Sequence, residues 1–161
     1  MRNPRSTASI AGHPIHPMLI PFPVAFFVAT LACDIAFSQN GSEAVATSAM
    51  WLLGAGIVMA LLAAAIGLVD VFGDRRIFNL NDVWWHAGGN VAIVLIEAAN
   101  WTMRYSGGSS AILPTGLVLS LVAVGGLLFT GWKGWEMVYR HRVGVADETA
   151  QAAAHEPRRA A

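Results

Sequence analysis

Two stretches of this chain carry no acidic or basic side chain: Ala44 to Val69, 26 residues, and Tyr105 to Trp132, 28 residues. A helix rises 1.5 Å per residue, so about 20 residues cross a hydrocarbon core of about 30 Å. Both stretches are long enough. Ser6 to Cys33 is also free of Asp, Glu, Lys and Arg, and its apolar part runs from Met18 to Phe37 with Asp34 close to its end. Val83 to Met103 is a fourth, largely apolar stretch that holds His86, Asn90, Glu97 and Asn100. We therefore expect four spans, near residues 18–37, 47–69, 83–103 and 111–132. Composition agrees, with 12% charged residues against roughly 25% in an average soluble domain. The short linkers predict an all-α, integral membrane, antiparallel up-down four-helix bundle.

The 161 residues fit one domain and leave no room for separate cofactor and substrate modules. A net charge of +0 gives no general attraction to nucleic acid, so none is expected as a partner. Cys33, the single cysteine, has no internal disulfide partner and reads as a small buried hydrophobe.

Positive loops stay cytoplasmic. Arg2 and Arg5 precede the first span, Arg75 and Arg76 lie in loop 70–82, and Lys133, Arg140, Arg142, Arg158 and Arg159 follow the fourth. Loop 38–46 has no Lys or Arg, and loop 104–110 has only Arg104. This asymmetry predicts both termini in the cytoplasm (N-in/C-in). Trp84, Trp85, Trp132 and Trp135 fit aromatic anchors on that face, and Trp51 and Trp101 on the other. Pro14, Pro17, Pro21 and Pro23, with the length of the apolar run after them, argue against a cleaved signal peptide. The expected plan is a cytoplasmic segment 1–17, a transmembrane domain 18–143 and a mostly disordered cytoplasmic tail 144–161. Gly54, Gly56, Ala60, Ala63, Ala64 and Gly67 in the second span, and Gly116, Gly125 and Gly126 in the fourth, suit close helix approach.

Gly12-His13-Pro14-Ile15-His16-Pro17 opens the first span. A proline disfavours helical backbone in the residue before it, so His13 and His16 are expected to be extended or polyproline. That geometry puts both imidazoles on one side, roughly 9 Å apart, too far for one metal unless the backbone turns. Pro17 suits a helix start. Pro21 and Pro23 remove further donors, so a distorted, partly hydrated entry is expected.

His86 lies one turn before Asn90, and His141 follows the fourth span. The predicted topology gathers His13, His16, His86 and His141 at one membrane face. Imidazole binds metal or haem iron and titrates near neutral pH. Ligands on separate helices are what a site in a bundle core requires. His16 and His86 are the leading pair, with His13 and His141 as alternates; hydrogen bonding to neighbours and headgroups is the plainer alternative. Asp70 and Asp74 lie beside this face and are candidates to orient an imidazole through its second nitrogen, with Asn90 beside His86. Pairing of Asp70 or Asp74 with Arg75 or Arg76 is the other possibility.

Asp34 and Glu97 fall about 24 Å and 21 Å along their helices from residues 18 and 83, near the outer interface. Acids inside a membrane are costly and point to function. Arg104 is a candidate partner for Glu97, and Asn100 can bridge them. The four residues predict an outer polar cluster that either pins the first and third helices or relays ions or protons.

The segment GHPIHPMLIPFPVAFFVATLACDIAF, the aspartate closing GLVD, the His86 to Asn90 pair and the final YRHRVGV resemble the bacterial membrane-protein family called domain of unknown function 2231, from Gly12 to about Val145. The resemblance implies a four-helix integral domain of the bacterial cytoplasmic (inner) membrane, with no established reaction. Relatives in which a similar domain is joined to Rieske-type iron–sulfur modules imply a place near electron transfer. One cysteine and this histidine spacing do not supply a Cys2His2 set. A redox role then requires a partner protein or a bound haem.

Three functional classes follow. The first is a redox-associated subunit that binds haem b or a metal between His16 and His86. The second is a non-catalytic assembly or sensing module whose histidines respond to pH. The third is a small proton-coupled transporter using Asp34 and Glu97, which would require a homodimer. The expected partners are the lipid bilayer and a redox protein or a second copy. No nucleophile, base and orienting group occur at recognisable spacing, so no enzyme is expected.

Overall fold

The structure, a computed structural model, describes residues 3–147, so most of the expected tail lies outside the described residues. It is mostly helical. Two short strands come first, β1 (Ser9–Ile10) and β2 (His13–Pro14), joined through Ala11 and Gly12 at positive φ. Helix α1 (Ile15–Leu19) follows at once. Extended backbone is therefore kept at His13 but not at His16, which is helical. Ile15, His16 and Pro17 are the first three residues of that helix, where N–H groups have no acceptor within it, so Pro17 forfeits no hydrogen bond.

Helix α2 (Pro21–Asn40) continues beyond Ile20. It stops at Gly41, whose left-handed backbone (φ 63°) lets its N–H reach the Phe37 carbonyl. Helix α3 (Glu43–Gly73) is the longest single helix, and the short α4 (Arg75–Phe78) follows, capped by the Asp74 side chain. Helix α5 (Asn81–Gly107) leads through two irregular turns, Gly108–Ala111 and Ile112–Gly116, into α6 (Leu117–Tyr139).

Three stretches are long and apolar enough to cross a membrane: Ile15–Asn40, Glu43–Gly73 and Asn81–Tyr139. The third contains two of the four expected spans. Its regularity breaks at Gly108 (φ 61°, ψ −148°) and again at Leu113 (φ −114°, ψ 133°), and the chain folds back across these residues. Asp82 then meets Lys133, His86 meets Thr130, and Asn100 meets Ser120. Helix α6 starts later than the expected 111 because residues 112–116 make this turn.

Phe27, Leu53, Ile93 and Ala123 form one buried cluster drawn from α2, α3, α5 and α6. A Cβ on Gly56 would lie 2.6 Å from Phe27 Cε1, so the approach of α2 to α3 requires a glycine there. Gly126 likewise touches Ile93, whereas Gly125 faces open space and takes no part in the packing expected of it. The interior is unusually polar: Thr30, Asp34, Glu97, Asn100, Arg104, Ser120 and Thr130 are all buried. The outside carries Trp51, Phe72, Leu95, Leu128 and Trp132, all largely exposed. An apolar exterior around a polar seam reverses the pattern of a water-soluble bundle and suits a hydrocarbon solvent.

Candidate functional site

His16 on α1 and His86 on α5 come together at one end of the fold, with ring centres 6.3 Å apart and planes at 82°. Each ring is held in the same way. His16 Nδ1 donates to the Ala63 carbonyl at 2.7 Å, and His86 Nδ1 donates to the Thr130 carbonyl at 2.8 Å. A carbonyl can only accept, so Nδ1 carries a proton in each ring, and the neutral form of such a ring has its lone pair on Nε2.

Helix geometry explains how an outside donor reaches these carbonyls. In an α-helix the residue four positions on lies over the carbonyl that its N–H meets. Those residues are Gly67 and Gly134. A Cβ on Gly67 would stand 2.9 Å from both Cε1 and Nδ1 of His16, and one on Gly134 would stand 3.3 Å from His86 Cε1. The two glycines leave the space that the imidazoles occupy.

The other sequence-predicted residues at this end have different partners. His141 Nε2 lies 3.0 Å from Asp82 Oδ2, and Asp82 also accepts from Lys133 Nζ at 3.1 Å. His13 sits exposed on β2. Asn90 donates to the His86 backbone carbonyl at 2.8 Å and accepts from Thr130 Oγ1 at 3.3 Å, so it ties α5 to α6 without touching the imidazole. Asp70 accepts from Ser6, Thr7 and Ala8, while the two rings bond directly to the carbonyls of Ala63 and Thr130. Asp74 takes the Arg76 guanidinium, which holds its carboxyl well below the usual carboxylate range. Among the described residues no group of three or more His, Cys, Asp or Glu side chains is placed to hold a metal ion.

The opposite end of the fold holds the second cluster. Arg104 Nη1 and Nη2 reach Asp34 Oδ1 and Oδ2, and Arg104 Nε donates to Asn100 Oδ1 at 2.9 Å. Asn100 Nδ2 lies 2.9 Å from Glu97 Oε2 and 3.1 Å from Ser120 Oγ, and Ser120 Oγ donates to Asp34 at 2.8 Å. Arg104 thus pairs with Asp34, and Glu97 is joined to it only through Asn100. Glu97 Oε1 is buried without a hydrogen-bond partner.

Sequence reasoning missed Ser120, Thr130 and Gly134. As the one serine of the expected span 111–132, Ser120 carried a signal; nothing in a sequence marks a backbone carbonyl as a histidine's acceptor. No curated protein and no solved structure matches the chain. The family model for DUF2231, described as a predicted membrane protein, matches residues 12–147. By that match, which takes in both histidines of the pair and the whole Arg104 cluster, the chain belongs to the DUF2231 family of membrane proteins.

Proposed function

We propose that the protein crosses a bacterial inner membrane four times, as an antiparallel bundle of α2, α3, α5 and α6 with both termini in the cytoplasm. We propose further that His16 and His86 hold one haem b between them as an electron-transfer site. The fold-back over residues 108–116 and the contacts of α5 with α6 support four crossings rather than three. The distribution of Lys and Arg supports the orientation.

The observation that carries the haem reading is the meeting of two identically held imidazoles from separate helices, with ring centres 6.3 Å apart. His16 and His86 would be the residues that hold the haem iron. Two ligands are too few for a bare cation, which takes four or more donors. They suffice for a porphyrin, which brings four nitrogens of its own. Haem b, when bound there, supplies one-electron transfer. The chain's part is to present Nε2 lone pairs and, through the two Nδ1 bonds, to fix the rings and raise their basicity.

Protein purified in mild detergent from haem-replete cells is expected to show a Soret band and the low-spin paramagnetic signature of haem iron held by two imidazoles. His16→Ala and His86→Ala should each abolish it, whereas His13→Ala and His141→Ala should keep it. A colourless wild-type protein that takes up no added haemin would overturn the reading. A second reading, proton passage through Asp34 and Glu97, is favoured by the partnerless Glu97 Oε1. It requires proton flux in liposomes that Asp34→Asn and Glu97→Gln remove.

A further inference from the structure

His16 and His86 hold the same kind of bond but sit in unequal backbones. His86 has a full turn of α5 before it and more than four turns beyond Asn90, so the helix itself fixes its position. His16 is the second residue of a five-residue helix that has no side-chain cap and contains Pro17. The first N–H groups of such a helix need acceptors from elsewhere. Ile15 N–H finds one in the Ala8 carbonyl, at 2.9 Å.

Ala8 is itself tied down. Its N–H donates to Asp70 Oδ1 at 2.7 Å, Ser6 Oγ lies 2.9 and 3.0 Å from the two Asp70 oxygens, and Thr7 Oγ1 lies 3.3 Å from Oδ1. Asp70 is buried, and its carboxylate is met by these strap donors rather than by an arginine or lysine among the ion pairs of the described residues. It stands two turns beyond Ala63 on the same helix, α3. One helix therefore holds His16 twice: directly at its ring through Ala63, and at its backbone through Asp70, Ala8 and Ile15.

We propose that Asp70 is a positioning residue for His16: by clamping residues 6–8 it fixes the start of α1 and so the angle at which the imidazole meets the Ala63 carbonyl. The geometric part stands on the hydrogen bonds alone; its consequence for haem rests on the reading in the preceding subsection. Asp74 provides the comparison, because it takes a single strap bond, from Arg5 N–H at 3.2 Å, and sits farther from the start of α1.

The test uses the full chain in detergent with 15N-labelled histidine, so that the protonation pattern of each ring is read directly. In the wild type, His16 and His86 should both show a protonated Nδ1 and a bare Nε2. Asp70→Ala should average the two nitrogens of His16 while leaving His86 as it was, and Asp74→Ala should change neither. Asp70→Asn keeps an oxygen for Ala8 N–H and should restore most of the wild-type pattern. Where Asp70→Ala fails to fold, Ser6→Ala with Thr7→Val removes the side-chain bonds to Asp70 from outside the helix and should average the nitrogens of His16 but not those of His86, an unchanged His16 overturning the inference. In haemin titrations Asp70→Ala should weaken binding about 10-fold, the usual scale for losing a group that orients a ligand. An unchanged His16 in Asp70→Ala overturns the inference, and so does an equal disturbance of His16 and His86, which marks a merely structural role. A wild type that binds no haemin, with His16 still selectively altered in Asp70→Ala, overturns the haem reading alone.

Discussion

Arg104 grips Asp34 with both ends of its guanidinium, at 2.6 and 2.7 Å, and both side chains are sealed from solvent. The pair joins α2 to α5 across the bundle, and its planar fork suits a carboxylate in a way an ammonium does not. Removing one partner strands a buried charge, so Arg104→Leu should cost about 3–5 kcal/mol. Arg104→Lys should recover only part of that loss. Reversible unfolding in mixed detergent micelles measures both, and an Arg104→Leu midpoint equal to wild type would show that the pair does not hold the helices.

The glycines under the imidazoles should be sensitive to a single methyl group. Gly67→Ala pushes a Cβ into the His16 ring and is expected to lower haemin uptake with little change in helix content. Gly125→Ala, which meets nothing within 4 Å, should leave uptake unchanged and add up to about 1 kcal/mol of helix stability. Haemin titration of the two variants side by side separates the cases.

Acid should loosen the turn between α3 and α5. The Arg76 hydrogen bonds lower the folded-state pKa of Asp74, and the chain has no such partner when unfolded. A depressed carboxylate contributes stability that is complete above its unfolded value, about 3.9, and is lost as pH falls toward the folded value. The wild-type unfolding midpoint is therefore expected to drop below about pH 4 more steeply than that of Asp74→Asn. Equal slopes for the two proteins would remove Asp74 from the account.

Reporter fusions test the crossing pattern. Tags after Gly41 and after Ser109 should report one side of the membrane, and tags after Asp74 and after Asp147 the other. Gly41 and Asp74 on the same side would break the bundle as we read it.

Much of this arrangement is written in the charge pattern. Uncharged runs mark where helices lie, and the positions of His16 and His86 at the starts of separate helices bring them to the same end of the fold. Asp34, Glu97, Asn100 and Arg104 come together as their depths suggest. What escapes is who pairs with whom. Glu97 and Arg104 are seven residues apart on one helix face, so spacing favours them as partners, yet Asp34 arrives from α2 and takes the fork. Spacing within a helix reports a shared face and is silent about the neighbour across it. The rule for residues before proline likewise fails at His16, because a helix start forgives what its interior does not.

A straight helix from Asn81 to Tyr139, 59 residues, would measure about 90 Å, three times the thickness of the oil it has to live in. Two departures from helical backbone, at Gly108 and Leu113, turn that rod into two arms of ordinary length and swing Ser120 back beside Asn100. The bend and the polar cluster around Arg104 are thus mutually dependent: a substitution that let residues 108–116 straighten would change how often the chain traverses the bilayer and, in the same motion, leave Asn100 and Asp34 reaching for a hydroxyl that had moved away.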